Sequence, residues 1–408
     1  MSAKTVRLVK QTDFFQLLVD EQPFYIKGAG LELGSIEQLA TFGGNAFRTW
    51  RVDNGEKTGA QILDEAHASG LMVCMGLDIA RERHGFDYDD PLAVAKQLDK
   101  MRNDVLTLKD HPALLMWGIG NELNLRHKNP KVWDAVNELS KMIHREDSNH
   151  PTTTMLAGAD PDIIQLVNKR CPDLDLLSFQ LYGDIDKLPG YLSKSGYDGA
   201  YIISEWGATG HWEVETTQWG RPIETNSTLK AQDYKQRYLD YIVADQRQCI
   251  GSFVFLWGQK QERTPTWYGV FLDNGRHTEA AQTMSELWTG KPSSHPVHQI
   301  ESFTIMDKNH CETYHLMAGE SYSAELISVD APSAINHRWQ LMKEVDIAVQ
   351  SDGGDFEPTP EVIWQKSGPD VGNKIHFKAP VSGEYRLFVY VDDDTNGSAT
   401  ANMPVLVD

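Results

Sequence analysis

Trp117-Gly118-Ile119-Gly120-Asn121-Glu122-Leu123-Asn124 closes an apolar run that begins at Leu114. A second stretch, Tyr201-Ile202-Ile203-Ser204-Glu205-Trp206-Gly207, is built the same way. In each, the run stops at a glutamate beside a tryptophan and a glycine. A strand covered along its length and open at its end places that carboxylate at the floor of a cleft. Two such ends, far apart in the chain, share a cleft only if the chain between them winds back to the same face. A parallel barrel does this, because each strand-plus-helix unit returns the chain to one end.

Outward from these two stretches the pattern repeats. Apolar runs at Phe24–Ala29, Ala46–Trp50, Leu71–Leu77, Leu114–Ile119, Thr152–Leu156, Leu174–Leu181, Tyr201–Ile203 and Ile250–Trp257 make eight. Segments of helical spacing lie between them. Pro91–Leu108 carries apolar residues at Leu92, Val94, Ala95, Leu98, Met101, Val105 and Leu108, with Asp90 placed as N-cap and Pro91 at the first helical position. Pro130–Ile143 follows the same plan with Asn129 as cap. Eight alternations predict a (β/α)8 barrel in preference to an open doubly wound sheet. Ahead of it, Phe14–Val19 and Phe24–Lys27 flank Asp20–Pro23 and predict a hairpin leading into the first barrel strand.

The texture changes near Thr289. Gly290-Lys291-Pro292-Ser293-Ser294-His295-Pro296 is rich in breakers, and beyond it the helical period gives way to alternation. Tyr385, Leu387, Val389 and Val391 share one side of a strand; Ile375 with Phe377, and Trp339 with Leu341, mark two others. The expected organisation is a barrel over 1–290, a linker over 291–296 and an immunoglobulin-like β-sandwich over 297–408.

A net charge of −20 argues against nucleic acid or an anionic membrane as partner. No run of about 18 apolar residues exists to span a bilayer. Met1–Lys10 lacks the apolar core of a signal peptide, which leaves two compartments open: the cytoplasm, or an exported protein whose leader has been removed. Cys74, Cys171, Cys249 and Cys311 are scattered without a Cys-x-x-Cys pair and read as mostly buried, reduced thiols.

Two glutamates at strand ends suit one chemistry above others. Cleaving a glycosidic bond with retention needs two carboxyl groups roughly 5 Å apart, one protonating the leaving oxygen and later activating water, the other attacking the anomeric carbon. Their environments must differ, so that one is protonated while the other is ionised. Arg48, ending Asn45-Ala46-Phe47-Arg48 on the second strand, is placed to hold Glu205 ionised; Glu122, facing that charge, keeps its proton longer. Asn121 is a candidate to bond a sugar hydroxyl, Tyr182 to touch the nucleophile, Trp257 to offer a flat face to a sugar ring, and Trp206 to bind substrate. Trp50 and Trp212 lie in inferred loops and read equally as packing or as sugar contacts. Glu32, near the first strand's end, reads equally as cleft lining or salt bridge, as does Asp78 after the third.

These pieces, in this order, resemble glycoside hydrolase family 2 and its barrel relatives. His111-Pro112-Ala113-Leu114-Leu115-Met116-Trp117-Gly118-Ile119-Gly120-Asn121-Glu122 is similar to that family's acid/base segment, Ile203-Ser204-Glu205-Trp206-Gly207 to its nucleophile segment, and Asn45-Ala46-Phe47-Arg48-Thr49-Trp50 to its second-strand arginine motif. The likeness covers about residues 14–290. It implies Glu122 as acid/base, Glu205 as nucleophile, a carbohydrate substrate and no cofactor. The β-domains that precede the barrel in that family have no counterpart in this sequence, and Gly76-Leu77-Asp78 at the third strand's end carries no family signature.

Other patterns fail on inspection. Gly118-x-Gly120 has Leu123 where a dinucleotide loop needs its third glycine. The histidines show no metal-ligand spacing. Asp392-x-Asp394-x-Asn396-Gly397 resembles the start of a calcium loop, but Met403 stands where the closing glutamate belongs, so an Asn-Gly hairpin turn is expected. Two rival functions stand beside it: transglycosylation by the same residues, in which a sugar replaces water, and sugar binding without turnover, with the second domain doing the holding. The second has no need of a nucleophile.

Overall fold

The computed structural model describes residues 3–306, 315–329, 336–346, 356–368 and 370–408. They fall into two compact units, Met1–Trp206 with Arg237–Trp257, and Gly207–Gln236 with Gly258–Asp408.

The first unit opens with a small antiparallel sheet of β1 (Val6–Lys10), β2 (Phe15–Val19) and β3 (Gln22–Pro23). The predicted hairpin is thus only part of the arrangement. The main partner of Phe15–Val19 is Val6–Lys10, and Phe24 lies outside any strand. Asp20 and Glu21 turn β2 into β3 with φ of 49° and 62°, the left-handed pair a two-residue hairpin requires. Val6 N–H bonds Asn149 O ahead of the fifth barrel strand, and Phe15 N–H bonds Arg247 O ahead of the eighth. Val6, Leu17 and Val19 join Ile26, Ala46, Met72, Leu176 and Ile250 in one buried cluster. The sheet therefore closes the end of the barrel where the strands begin and leaves their C-terminal ends to the site.

The barrel is formed by β4 (Ile26–Gly30), β5 (Ala46–Arg48), β6 (Met72–Leu77), β7 (Leu114–Asn121), β8 (Thr152–Ala157), β9 (Leu176–Gln180), β10 (Tyr201–Trp206) and β11 (Cys249–Val254). They run parallel in chain order, and β11 pairs with β4 to close the ring. All eight predicted runs are strands. The open doubly wound alternative falls because no edge remains. Inside the ring the strands are buried on both faces, which is why they show as continuous apolar runs.

The helices of this unit follow their caps. They are α1 (Ile36–Thr41), α2 (Gly59–Ala68), α3 (Pro91–Leu108), α4 (Lys131–Glu146), α5 (Pro161–Arg170) and α6 (Leu188–Ser195). Asp90 accepts the N–H groups of Leu92 and Ala93 to start α3, with Pro91 at its first position, as the sequence predicts. Helix α4 begins one residue later than expected, with Pro130 in the cap position; Asn129 Oδ1 still accepts the N–H of Lys131.

The second unit contains α7 (Ser227–Arg237, all but its last residue), α8 (Glu279–Thr289) and two sheets. One sheet is formed by β12 (Gln299–Ile305), β14 (Ser321–Val329) and β17 (Lys374–Lys378); the other by β13 (His315–Leu316), β15 (Asn336–Lys343), β16 (Val362–Gly368), β18 (Gly383–Asp392) and β19 (Ser398–Val407). Phe303, Leu326 and Phe377 from the first sheet share a core with Trp339, Leu387, Val389 and Met403 from the second. The alternation at Trp339, Leu341, Ile375, Phe377, Tyr385, Leu387, Val389 and Val391 therefore marks inward-facing positions. Asp393 Oδ1 accepts the N–H groups of Thr395 and Gly397, and Asn396 has φ 68°, so the acidic run is the turn joining β18 to β19.

The division into units does not follow the linker alone. Segments 207–236 and 258–290 join the C-terminal sheets because polar side chains tie them there. Thr228 Oγ1 accepts Ile300 N–H, Ser227 Oγ accepts Thr400 N–H, and Arg276 donates to the carbonyls of Asp393 and Gly397. Cys74, Cys171 and Cys249 are buried free thiols; Cys311 lies outside the described residues. Among the described residues no helix is long and apolar enough to cross a membrane, and no group of three or more His, Cys, Asp or Glu is arranged to hold a metal.

Candidate active site

Glu205 lies one residue from the end of β10, with its side chain toward the barrel axis. Its Oε1 accepts three donors: Arg48 Nη1 at 3.2 Å, Trp50 Nε1 at 2.8 Å and Gln180 Nε2 at 2.9 Å. Its Oε2 accepts one, the Tyr182 hydroxyl at 3.0 Å. A carboxylate offers about four lone-pair sites, two on each oxygen. Oε1 is crowded with donors, and Oε2 keeps a lone pair to spare.

Arg48 ends β5 and is completely buried. Its second nitrogen, Nη2, donates to Asn121 Oδ1 at 2.7 Å. Gln180, the last residue of β9, also donates to Asn121 Oδ1, at 2.7 Å. Arg48 and Gln180 thus each bridge Glu205 to Asn121, the last residue of β7 and the neighbour of Glu122. A buried guanidinium hydrogen-bonded to a carboxylate fixes its plane.

Glu122 follows β7 directly. Gly120 (φ 75°) and Glu122 (φ 52°) both take left-handed backbone conformations. A Cβ on Gly120 would come within 2.6 Å of Leu123, so only glycine fits this curl. At Glu122 the same conformation carries a side chain at a cost of about 1–3 kcal/mol, strain of a kind that gathers at functional sites. The Glu122 N–H bonds Met155 O at 2.9 Å on the neighbouring strand.

Trp50 is half-buried and crosses the site next to Arg48, whose guanidinium lies 4.8 Å from the ring centroid. Gly30 at the end of β4 makes room for it: a Cβ there would sit 2.6 Å from the indole. Phe255 meets Trp50 and Tyr182 edge-on, with centroids at 5.9 Å and 6.1 Å.

The structure thus draws Arg48, Trp50, Asn121, Tyr182 and Glu205 into one hydrogen-bonded group, with Glu122 adjoining through Asn121. Glu32 lines a cavity together with Trp50, but its carboxylate is paired with Arg51. Trp212 belongs to the second unit, where its ring is 60% exposed against His211.

Trp206 and Trp257 depart from expectation. Successive side chains of a strand point to opposite faces. With Glu205 directed inward, Trp206 points outward, fully buried and stacked on Tyr238 at 5.9 Å. Trp257 is equally buried, edge-on to Phe42 at 5.4 Å. Neither ring presents a face to a ligand in this structure.

Three side-chain hydrogen-bond donors to this group are not among the candidates named from the sequence. Gln180 is one; Ser178 and Gln180 alternate within an otherwise apolar run, the signature of polar groups facing a barrel interior. Arg81 and Arg83, in the loop after β6, reach the backbone of Asn121 and Glu122. No periodicity flags them.

A family model, "Glycosyl hydrolases family 2, TIM barrel domain", matches residues 40–298. No curated protein matches the sequence. Among solved structures, a β-glucuronidase from Bacteroides uniformis is similar over 99% of this chain and 48% of its own, with 12% identity and a TM-score of 0.54. A β-glucuronidase from Bifidobacterium dentium, complexed with coumarin-3-O-glucuronide, is similar over 71% of this chain and 50% of its own, with 17% identity and a TM-score of 0.54. The chain spans about half the length of these structures, and at such identities the likeness is one of fold.

Proposed function

This chain belongs to glycosyl hydrolases family 2, and on that premise we propose that it hydrolyses β-glycosides by the two-step retaining route. The observation that carries the proposal is the asymmetry of the Glu205 carboxylate. Its Oε1 is immobilised by Arg48, Trp50 and Gln180, while Oε2 is held only by the Tyr182 hydroxyl. Oε2 is the atom left to attack the anomeric carbon. Glu122 donates its proton to the departing glycosidic oxygen, and the sugar is held as an ester on Glu205. Glu122, now a carboxylate, then removes a proton from water, whose oxygen displaces Glu205 with restored configuration. Asn121, fixed by Arg48 and Gln180, is placed to hydrogen-bond a hydroxyl of the reacting sugar.

The test uses aryl β-glycosides, with β-glucuronides tried first because the structural neighbours above are β-glucuronidases. Glu205→Gln is expected to abolish turnover. Glu122→Gln is expected to spare substrates with good leaving groups and cripple those with poor ones, which need protonation. A 2-deoxy-2-fluoro glycoside is expected to label Glu205 and no other carboxylate. If both variants keep near-normal turnover, or the label sits elsewhere, the assignment is wrong. Product analysis in the same assay separates hydrolysis from transfer to a second sugar.

A further inference from the structure

The loop after β6 is fastened to the loop after β7 at several points. Arg81 Nε donates to Asn121 O at 3.1 Å, and its guanidinium lies 3.5 Å from Asp78. Glu82 Oε2 accepts the N–H groups of Lys128 at 2.6 Å and Asn129 at 3.0 Å. Arg83, in the short 3-10 turn Glu82–His84, donates from Nη1 to Glu122 O at 2.6 Å. Its Nη2 lies 3.7 Å from Glu122 Oε2. The Arg83 side chain is only 4% exposed and that of Glu122 only 12%. The loop's own shape is fixed as well: Ala80 N–H bonds Gln97 Oε1 at 2.6 Å, and the Tyr88 hydroxyl bonds Ala80 O.

Here the β7 ladder ends and the backbone curls through two left-handed residues. The carbonyls of Asn121 and Glu122 are each met by an arginine instead of a strand. A left-handed glutamate needs such help, since its conformation is unfavourable by itself. From these contacts we propose that Arg83 is a positioning residue for Glu122. It holds the Glu122 peptide plane through the carbonyl and keeps a charged nitrogen 3.7 Å from Oε2, so that the acid/base carboxyl meets the glycosidic oxygen in register. Arg81 fixes the preceding peptide, and Glu82 locks the two loops together. The inference rests on Glu122 being the acid/base.

The experiment compares Arg83→Ala, Arg83→Lys and Glu122→Gln on two substrates of one sugar, a phenyl β-glycoside and a 2,4-dinitrophenyl β-glycoside. Misplacing a proton donor by about 1 Å costs roughly 10²-fold. Arg83→Ala is therefore expected to lower kcat/KM about 100-fold on the phenyl glycoside and only a few-fold on the dinitrophenyl glycoside, whose departure needs little protonation. Guanidinium ion at low millimolar concentration is expected to restore part of the phenyl glycoside activity, while equal sodium or urea does not. Arg83→Lys keeps one donor without the planar fork, and should lose less in the same direction. If Arg83→Ala fails to fold, Arg83→Lys carries the test alone. A loss equal on both substrates, or no loss on either, overturns the proposal while Glu122→Gln still discriminates between leaving groups. If Glu122→Gln itself does not discriminate, the acid/base assignment fails, and this inference fails with it.

Discussion

Two buried glutamates, one in each unit, invite comparison. Glu205 is 5% exposed and Glu224 is 4% exposed. Each faces a cation, Arg48 for Glu205 and Lys230 for Glu224. Each accepts four side-chain donors. They differ in how the donors are shared. Glu224 Oε1 accepts Lys230 Nζ and Thr266 Oγ1, and Oε2 accepts Thr264 Oγ1 and Asn402 Nδ2. Two donors on each oxygen leave no lone pair idle. At Glu205 three donors crowd Oε1 and one meets Oε2. Burial and charge pairing do not mark a reactive carboxylate. On the proposed function, what sets Glu205 apart is that its donors leave Oε2 under-coordinated where the bond to the sugar forms.

The comparison breaks most directly at Glu205. Glu205→Gln is expected to cut kcat roughly 10⁴-fold or more, as loss of a nucleophile does in enzymes whose catalytic groups act as a unit. The change also leaves Arg48 buried without its counter-ion, so the thermal midpoint is expected to fall as well. Activity on an aryl glycoside and a melting curve on the same preparation decide it. Activity within tenfold of the parent would place Glu205 with Glu224 as a structural group.

Glu224→Gln is expected to cost stability without the loss of turnover. Burial pushes the Glu224 carboxyl up, but the Lys230 ammonium and the Thr264 hydroxyl outweigh it and hold it below the usual carboxylate range. Removing the charge leaves Lys230 buried without its counter-ion, at about 3–5 kcal/mol of stability. Denaturation should show the loss, while kcat at a temperature where the variant is folded stays near the parent value. A large fall in kcat at full folding would show that the Glu224 network serves the chemistry.

The third test sharpens the geometry. Gln180→Leu removes a bridge between Glu205 and Asn121 at similar volume. Oε1 keeps Arg48 and Trp50, so the carboxylate remains held and only its rotation loosens. About 10–100-fold in kcat/KM is expected, with KM and kcat both affected because Asn121 also loses a donor. An unchanged kcat/KM would make the Gln180 contacts dispensable.

The two networks were not equally legible in the sequence. Glu122, Glu205 and Arg48 stand out because each lies at or within one residue of the end of an apolar strand, and position in a barrel strand fixes direction. The same rule separates Glu205 from Trp206: adjacent strand residues cannot both face the cleft. Glu224 sits in a loop, and its partners Thr264, Thr266 and Asn402 come from distant segments brought together by tertiary structure alone. Arg81 and Arg83 share that obscurity. The hairpin partner of β2 shows a milder form of the problem, since in Val6-Arg7-Leu8-Val9-Lys10 the adjacent Leu8 and Val9 break the alternation that marks a strand. Periodicity finds elements and their ends; contacts between loops leave no periodic trace.

A third buried glutamate isolates the part the cation plays. Glu279, at the start of α8 in the second unit, is 8% exposed and accepts Gln299 Nε2 at 3.0 Å. Among the described residues it has no ion-pair partner of the kind Glu224 has. Burial pushes its carboxyl up to about 7, against the smaller opposing effects of Thr228 and Gln299. The folded state therefore binds this proton more tightly than the unfolded chain does. The group's contribution is full below pH 4.5 and is lost as the pH rises towards about 7. The loss amounts to about 3 kcal/mol at one pH unit per 1.4 kcal/mol. Glu279→Gln keeps an acceptor for Gln299 and removes the titration. Urea midpoints at pH 5 and pH 8, followed through a probe in the second unit, should therefore converge in the variant and diverge in the parent. At pH 8 the variant should be the more stable of the two. Equal pH dependence in both proteins would mean that Glu279 is ionised at little cost, and that a counter-ion is not what distinguishes the Glu224 site.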